Sequence, residues 1–283
     1  MNGIELKDIS KRFGETQALQ DISLCFEENK IYGLLGRNGA GKSTMLNIIA
    51  NRLFADTGQV MVDGMPAAEN DQAQRLLYLM SEQTLYPESM RIRDVFKWTK
   101  NFYPNFDLAY AQNLANNFGL DTKKKVRSLS TGYASIFKII AALSVNVPYV
   151  LLDEPVLGLD ANHRDMFYKL LLEKYGECPS TYVISTHLIE EVSGVIEDIV
   201  IIKNGEVIRN ESCESLLSKG YTVSGKASEV DAFIEGKEII GIDVLGGLKT
   251  AHILGAVDRR EIPDSLEVTR LDLQKLFIQL TNS

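Results

Sequence analysis

A glycine-rich loop that carries one lysine and two hydroxyl residues is the stretch of this sequence best suited to chemistry. It fits the pattern G-x-x-x-x-G-K-S/T and lies between an apolar run typical of a strand, 31–35, and one typical of a helix, 44–50. Its residues are Gly36, Arg37, Asn38, Gly39, Ala40, Gly41, Lys42, Ser43 and Thr44. Glycines let backbone N–H groups turn inward, and the helix adds the positive end of its dipole. Lys42 can then contact the β- and γ-phosphates while Ser43 ligates Mg²⁺, so the loop predicts binding of a nucleoside triphosphate.

Two carboxylates follow a second apolar run, 150–152, whose composition predicts a strand buried on both faces. Ligands bind at the carboxyl ends of strands in open α/β sheets, which is where Asp153 and Glu154 fall. Asp153 is placed to hold Mg²⁺, directly or through water, and Glu154 to polarise an attacking water. His187 ends a further predicted strand, 182–186. A lone histidine is more often structural, but its position at a strand end favours a role in the same site.

Composition limits the class of protein. The chain has 283 residues, a net charge of -8 and 45% hydrophobic residues, enough for a substantial core. The acidic balance argues against nucleic acid as the main partner. The three scattered cysteines indicate a reducing, cytoplasmic compartment. There is no signal peptide and no apolar run of the roughly 20 residues that a membrane helix needs, so we expect any membrane role to come through a partner.

The order of predicted elements indicates an α/β fold with a helical insert. Strands are predicted at 4–6 and 22–26, joined by a turn-rich link in which Phe13 could stack on a base or belong to the core. From Ile92 to about Val145 the apolar period becomes helical. Strands then return, with an Asn-Gly hairpin near residue 204.

The decisive stretch is Leu129–Tyr133, which lies between the phosphate loop and the two acids. With it, the chain from 4 to 209 resembles the ATP-binding subunit of an ABC transporter. The set of motifs, in chain order, is the phosphate loop, Leu129–Tyr133, Asp153–Glu154, Leu157–Asp160 and His187. The resemblance implies an α/β P-loop NTPase core of the ABC ATPase type over 1–210. Its helical subdomain is expected at about 88–146.

The resemblance also implies roles for individual residues and two ATP molecules sandwiched between two subunits. Glu154 matches the catalytic base, and His187 matches the switch histidine that contacts the γ-phosphate. Lys42 completes the expected catalytic set. The residues implied in nucleotide binding outside the phosphate loop are Phe13, Ser130, Thr131, Gly132 and Asp160. Phe13 would stack on adenine, the signature Ser130–Gly132 would face the other subunit's γ-phosphate, and Asp160 lies in the loop expected to cross the interface.

Three positions depart from the family pattern. The signature usually has glycine where Thr131 stands and glutamine where Tyr133 stands. We expect function to survive the first change, because Thr131 keeps its backbone N–H. The family glutamine that touches Mg²⁺ and senses the membrane partner falls on Ser81. Either Ser81 or the nearby Gln83 could serve in its place.

The pattern of the tail, 211–283, predicts a small α/β appendage that ends in an amphipathic helix. It resembles the dimerisation or regulatory modules of antibiotic- and peptide-exporter ATPases, and we expect it to stabilise a dimer. The resemblance implies the ATPase subunit of an exporter whose substrate is a drug, a lipid or an amphipathic peptide. It implies pairing with itself or with a related ATPase. It also implies a transmembrane permease that docks near 81–86 and holds the chain at the cytoplasmic face of the membrane.

The sequence disfavours two other functions. A soluble ABC ATPase that acts on the ribosome or on DNA is disfavoured, because the sequence has neither a second ATP domain nor a long coiled coil. A regulatory subunit with a dead site is disfavoured by the joint presence of Lys42, Asp153, Glu154 and His187.

Overall fold

Three β-sheets organise the chain in the computed structural model, which describes residues 2–83, 85–256 and 262–282. The strands are β1 Gly3–Phe13, β2 Thr16–Glu27, β3 Ile31–Leu35, β4 Thr57–Val62, β5 Met65–Pro66, β6 Leu77–Met80, β7 Tyr149–Asp153, β8 Thr181–Thr186, β9 Asp198–Lys203, β10 Glu206–Ser212, β11 Gly220–Lys226, β12 Glu238–Leu245, β13 Leu248–Leu254 and β14 Glu267–Arg270. The helices are α1 Lys42–Ile49, α2 Asp71–Gln74, α3 Ile92–Phe102, α4 Leu108–Asn117, α5 Thr131–Ser144, α6 Ala161–Glu177, α7 Ile189–Val192, α8 Cys213–Ser218, α9 Ala227–Ile234 and α10 Leu273–Asn282.

The central sheet brings the predicted chemistry together. Its strand order is β10-β9-β3-β8-β7-β6, and every neighbouring pair from β9 to β6 is parallel. Strands β3, β7 and β8 are buried along their whole length, in agreement with their continuous apolar sequences. The phosphate loop follows β3, the two acids end β7, and His187 follows β8. Since β8 lies between β3 and β7, these segments emerge side by side at one edge of the sheet.

Strands β1 and β2 correct one prediction. The stretch around Gln17–Leu19 was predicted to be a turn-rich link, but the two strands form one long hairpin in which Phe13 pairs with Thr16. Register shifts between Leu6 and Ile9 and again before Arg12 break the alternation of polar and apolar residues. Because the period-2 pattern is interrupted there, it underestimates the length of both strands. Phe13 stands at the hairpin tip with 49% of its surface exposed, so the interpretation of Phe13 as a core residue is wrong.

The segment predicted to be helical from Ile92 to about Val145 contains α3, α4 and α5, which together are called the helical insert here. Asp107 caps α4 by accepting a hydrogen bond from the Tyr110 N–H, and Ser130 caps α5 by accepting from the Tyr133 N–H. The three helices pack through buried aromatic side chains such as Phe96, Phe106 and Phe137. Across the described ranges, no helix combines the length and the apolar character needed to cross a membrane.

The tail contains its own sheet, in the order β12-β13-β11-β14, with α9 packed on one face. The core of that sheet is small and separate from the ATPase core. The last helix behaves differently. The apolar face of α10 joins the main core, where Leu276 and Phe277 are in one cluster with Ile189 and Val192 of α7. The sequence predicted the amphipathic helix but not the surface on which it packs, and the domain boundary at 210 stays a prediction.

Truncating the buried face of α10 should destabilise the ATPase core. Leu276 is 1% exposed, so Leu276→Ala leaves a cavity and should lower the free energy of unfolding by about 2–4 kcal/mol. Ile278 lies two positions further on the same helix but is 39% exposed, so Ile278→Ala should cost less than about 1 kcal/mol. Urea unfolding of both variants measures the difference. Equal effects would mean that α10 does not contribute to the core.

Candidate functional site

The phosphate loop is shaped by close backbone approaches that only glycine permits. Gly41 caps the start of α1 with φ of 113°, a left-handed value that favours glycine. A Cβ at Gly41 would lie 2.5 Å from the carbonyl oxygen of Ala18, and one at Gly36 would lie 2.8 Å from that of Ile202. The hairpin and the central sheet therefore hold the loop from two sides. The N-terminal end of α1 has no side-chain cap, which leaves its first N–H groups for an anion.

The ammonium group of Lys42 is buried inside this loop. Its ammonium donates to the carbonyl of Gly36 at 2.7 Å and lies 3.7 Å from Oε1 of Glu154. Only 6% of the residue is exposed, and burial lowers the pKa of the ammonium, while the charges of Glu154 and Asp153 act in the opposite direction. A phosphate beside Lys42 would accept a charge-assisted hydrogen bond from this ammonium and would also meet the free N–H groups at the start of α1.

Asp153 and Ser43 place hard oxygen atoms next to each other. The buried carboxylate of Asp153 accepts a hydrogen bond from the Ser185 hydroxyl at 2.9 Å and one from Ser43. Burial raises the pKa of Asp153, so a cation beside it would stabilise the ionised form. No cluster of three or more His, Cys, Asp or Glu side chains suited to a metal occurs among the described residues. This small donor set fits Mg²⁺, which takes its remaining ligands from phosphates and water.

Glu154 and His187 form a hydrogen-bonded pair at the same edge. Nδ1 of His187 lies 2.9 Å from Oε1 of Glu154, and the Thr186 hydroxyl donates to Oε2 at 3.3 Å. Glu154 has φ of 47°, an unfavourable value for glutamate, and its N–H donates to the carbonyl of Ser185. The three side chains predicted to act in catalysis, Lys42, Glu154 and His187, thus converge on one point.

The signature, Ser130–Gly132, and the loop Leu157–Asp160, called the Asp160 loop here, form a second cluster. A Cβ at Gly132 would lie 2.9 Å from the carbonyl oxygen of Gly158, and the Ser135 hydroxyl donates to the carbonyl of Leu157 at 2.9 Å. Asp160 caps α6 by accepting from the N–H of His163. That hydrogen bond lowers the pKa of Asp160, with a further contribution from the His163 ring. The predicted signature residues and Asp160 are therefore held together on one surface.

Comparison with known proteins agrees with this geometry. A family model described as ABC transporter matches residues 19–157. The chain is 31% identical to the ABC transporter ATP-binding protein YtrB of Bacillus subtilis, over 72% of this chain and 70% of that protein. It belongs to the ABC transporter family. Within this family the chain is an ATP-binding subunit, and it is therefore an ATPase.

Two further likenesses extend the comparison of this ABC ATPase. It is 26% identical to the petrobactin import ATP-binding protein YclP of Bacillus subtilis, over 76% of this chain and 88% of that protein. A solved structure of the ATP-binding cassette MJ0796, a dimer bound to ADP and phosphate after hydrolysis, superposes with a TM-score of 0.66. That match has 26% sequence identity and covers 74% of this chain and 98% of that one.

The loop after β6 contains Ser81, the position where the sequence predicts a departure from the family glutamine. The Ser81 hydroxyl donates to the carbonyl of Gln83 at 3.0 Å and accepts from Arg52 at 3.2 Å. Ser81 and Gln83 both line a cleft that also contains Ser43 and Asp153. Both candidates for the missing glutamine therefore lie beside the predicted metal ligands.

Lys138 contacts the loop after β6, and sequence analysis did not predict it as part of the site. It lies on α5, and its ammonium donates to the carbonyls of Ser81 at 3.0 Å and Glu82 at 2.6 Å. The residue is 8% exposed, and burial lowers its pKa. Lys138 thus fixes the 81–83 loop to the helical insert. The available signal was a charged residue within the otherwise apolar stripe of Ile136, Ile139 and Ile140.

Removing the buried charge of Asp153 should stabilise the chain. A raised pKa in the folded state favours the protonated form, so this contribution to stability is present at low pH and is lost as pH rises through the folded-state pKa. At neutral pH the ionised carboxylate therefore costs stability. We expect Asp153→Asn to melt a few degrees higher than the unchanged chain at pH 7.5, a gap that narrows toward pH 4. Calorimetry without nucleotide tests this, and a lower melting temperature at pH 7.5 would contradict it.

Proposed function

We propose that two ATP molecules are bound between two subunits, each held by the phosphate loop of one and by Ser130–Gly132 and Asp160 of the other. The convergence of Lys42, Glu154 and His187 carries this proposal. The signature supports it, because its contacts run to the Asp160 loop and build a separate surface that suits a second nucleotide. The dimeric state of the ADP- and phosphate-bound MJ0796 structure supports the same arrangement.

Within each site we assign the nucleotide contacts by chemistry. The exposed ring of Phe13 would stack on adenine, with the Lys11 ammonium 5.6 Å from the ring centre on the same hairpin. The triphosphate would occupy the loop from Gly36 to Thr44. Ser43 and Asp153 would hold Mg²⁺, with Ser81 or Gln83 reaching it from the neighbouring loop.

Glu154 acts as the general base in this account. Its carboxylate accepts a proton from the attacking water, while the hydrogen bond from His187 fixes Oε1 in place. In its imidazolium form His187 can donate through Nδ1 to Glu154 and through Nε2 to the γ-phosphate at the same time. Lys42 places positive charge where negative charge develops on the transferred group.

An apolar groove supports the predicted permease partner. It lies between β6 and the helical insert and is lined by Tyr86, Trp98 and Phe102. Trp98 is 40% exposed, and Leu85 at the rim is exposed as well. An amphipathic helix from the cytoplasmic side of a permease would bury this surface and would abut the 81–83 loop beside the metal ligands. The chain would then be held at the membrane through that partner.

The groove can be tested with the only tryptophan of the chain. Trp98 fluorescence should shift to shorter wavelength when the ATPase assembles with its permease in nanodiscs, because docking removes the ring from water. Phe102→Asp should abolish assembly. Assembly with unchanged emission would place the permease elsewhere.

Export of a drug, a lipid or an amphipathic peptide is the direction we propose, supported by the resemblance of the tail to that of exporter ATPases. The relative YclP is named for import, so direction needs its own test. In everted vesicles, ATP should drive uptake of a labelled amphipathic peptide if the complex exports. Uptake only by right-side-out vesicles would indicate import.

ATP-dependent pairing tests the core of the proposal. Glu154→Gln should bind ATP but hydrolyse it very slowly, so sedimentation should show a dimer with ATP and a monomer without nucleotide. A variant that stays monomeric at saturating ATP would exclude self-pairing. Sedimentation of a mixture with a related ATPase subunit would then show whether the two form a heterodimer. If no heterodimer forms with ATP, the proposed pairing is wrong.

A further inference from the structure

Arg164, near the start of α6, contacts two separate segments of the chain. Its Nε donates to the carbonyl of Leu159 at 2.9 Å. Its Nη1 forms an ion pair with Oε1 of Glu191 on α7. One guanidinium therefore connects the loop before α6 to the helix after β8.

The two connected segments belong to different parts of the site. Leu159 directly precedes Asp160, in the loop expected to meet the other subunit. Glu191 lies on α7, which begins two residues after His187, and His187 in turn contacts Glu154 at 2.9 Å. A displacement of the Asp160 loop can thus reach the catalytic pair through two polar contacts made by a single side chain.

The chemistry of Arg164 suits positioning better than stabilisation. The side chains of Arg164 and Glu191 are 31% and 29% exposed, so solvent screens their attraction. Oε2 of Glu191 and the hydroxyl of Tyr168, one turn along α6 from Arg164, are buried without a hydrogen-bond partner in the described part of the chain. Unsatisfied buried polar groups are uncommon in folded proteins, and a catalytic role is one explanation for them. The planar guanidinium can donate in two fixed directions at once, which an ammonium on a flexible stem cannot do.

We propose that Arg164 is a positioning residue for ATP hydrolysis, which transmits the position of the Asp160 loop to α7 and thereby to His187 and Glu154. The inference rests on the proposed pairing of two subunits, since the partner sets the position of that loop. Arg164 then acts on the hydrolytic step and not on ATP binding. Dimer closure by ATP does not require it.

The test compares turnover by the full chain for Arg164→Met, Arg164→Lys, Glu191→Gln and the Arg164→Met/Glu191→Gln double variant. Misplacing a catalytic group by a fraction of an ångström should lower kcat by about tenfold or more, with KM for ATP changed by less than about twofold. Arg164→Lys should not restore kcat, because lysine cannot hold Leu159 and Glu191 together. The double variant should be no slower than the slower single variant, since both act through one contact.

Lys169→Met is the matched control. Lys169 lies on the same helix and pairs with Asp165 at 2.7 Å, but both side chains are more than 60% exposed. Its kcat should equal that of the unchanged chain, and all variants should melt at the same temperature, which separates positioning from loss of folded protein. Glu191→Gln keeps the inference testable if Arg164→Met folds poorly.

Two results have distinct meanings. If Glu154→Gln and Glu154→Gln/Arg164→Met both dimerise with ATP but Arg164→Met or Arg164→Lys turns over like Lys169→Met, the inference about Arg164 is wrong and the proposed function stands. If Glu154→Gln dimerises with ATP neither with itself nor with a related ATPase subunit, the proposed pairing fails, and the inference fails with it.

Discussion

Glu154→Gln should lower ATP turnover by about 10²–10⁴-fold while leaving ATP affinity within about twofold. The amide keeps the size of the carboxylate and can still accept the hydrogen bond from Thr186, so the local geometry should survive. It cannot accept a proton from water at neutral pH. The loss should therefore appear in kcat and not in nucleotide binding, which phosphate release and titration with a fluorescent ATP analogue measure separately.

Glu173→Gln provides the control for this change. Glu173 is an exposed carboxylate on α6, so its loss removes the same charge without touching the site. Its turnover should match that of the unchanged chain. If Glu154→Gln retained more than about a tenth of normal turnover, a different residue would have to be the base.

Lys42→Met should weaken ATP binding by about 10–100-fold, because hydrogen bonds to a charged phosphate contribute about 1.5–3 kcal/mol. Turnover at saturating ATP should fall by a further factor of about 10²–10³, since the ammonium also opposes charge that develops during transfer. The fold should not suffer. Burial lowers the pKa of Lys42 despite the opposing charges of Glu154 and Asp153, so the charged ammonium costs stability at neutral pH. An apolar side chain of similar length should therefore leave the melting temperature unchanged or raise it.

Calorimetry and nucleotide titration of Lys42→Met test both parts of this prediction, with Lys169→Met as the exposed control. Weaker binding together with a lower melting temperature would mean that Lys42 supports the structure of the loop. Unchanged binding would mean that the triphosphate lies elsewhere.

The sequence was sufficient to predict the residues that meet at the central sheet. Lys42, Asp153, Glu154 and His187 all follow buried apolar runs, and such runs become parallel strands whose ends share one edge. Strand order was not available from periodicity alone, but any order that places these strands together gives the same site. The exposure of Phe13 also agrees with the role that the family resemblance implied.

Features that depend on tertiary contacts could not be predicted from the sequence. Periodicity showed that the last helix has an apolar face, but not that this face joins the main core beside α7 as well as contacting β12 of the tail sheet. Lys138 donates to backbone carbonyls of a loop distant in sequence, and Arg164 pairs with Glu191 on another helix. Neither contact follows from a local sequence pattern. The positive φ of Glu154 is set by the turn after β7 and by its hydrogen bond to Ser185, neither of which a local pattern encodes.

The most direct test of the shared-site account is a mixing experiment with two inactive subunits. One carries Lys42→Met, and the other carries Thr131→Asp, which places a negative charge against the γ-phosphate from the signature side. Thr131 is exposed at the start of α5, where an aspartate favours the helix, so the second variant should fold normally.

If each ATP is held by two subunits, a mixed dimer contains one intact site, formed by the phosphate loop of the Thr131→Asp subunit and the signature of the Lys42→Met subunit. Random pairing makes half of the dimers mixed, so equimolar mixing should restore roughly one quarter of normal turnover. Each variant alone should remain nearly inactive. Turnover of the mixture equal to the average of the two separate variants would contradict the account, because it would mean that each subunit hydrolyses ATP with its own residues.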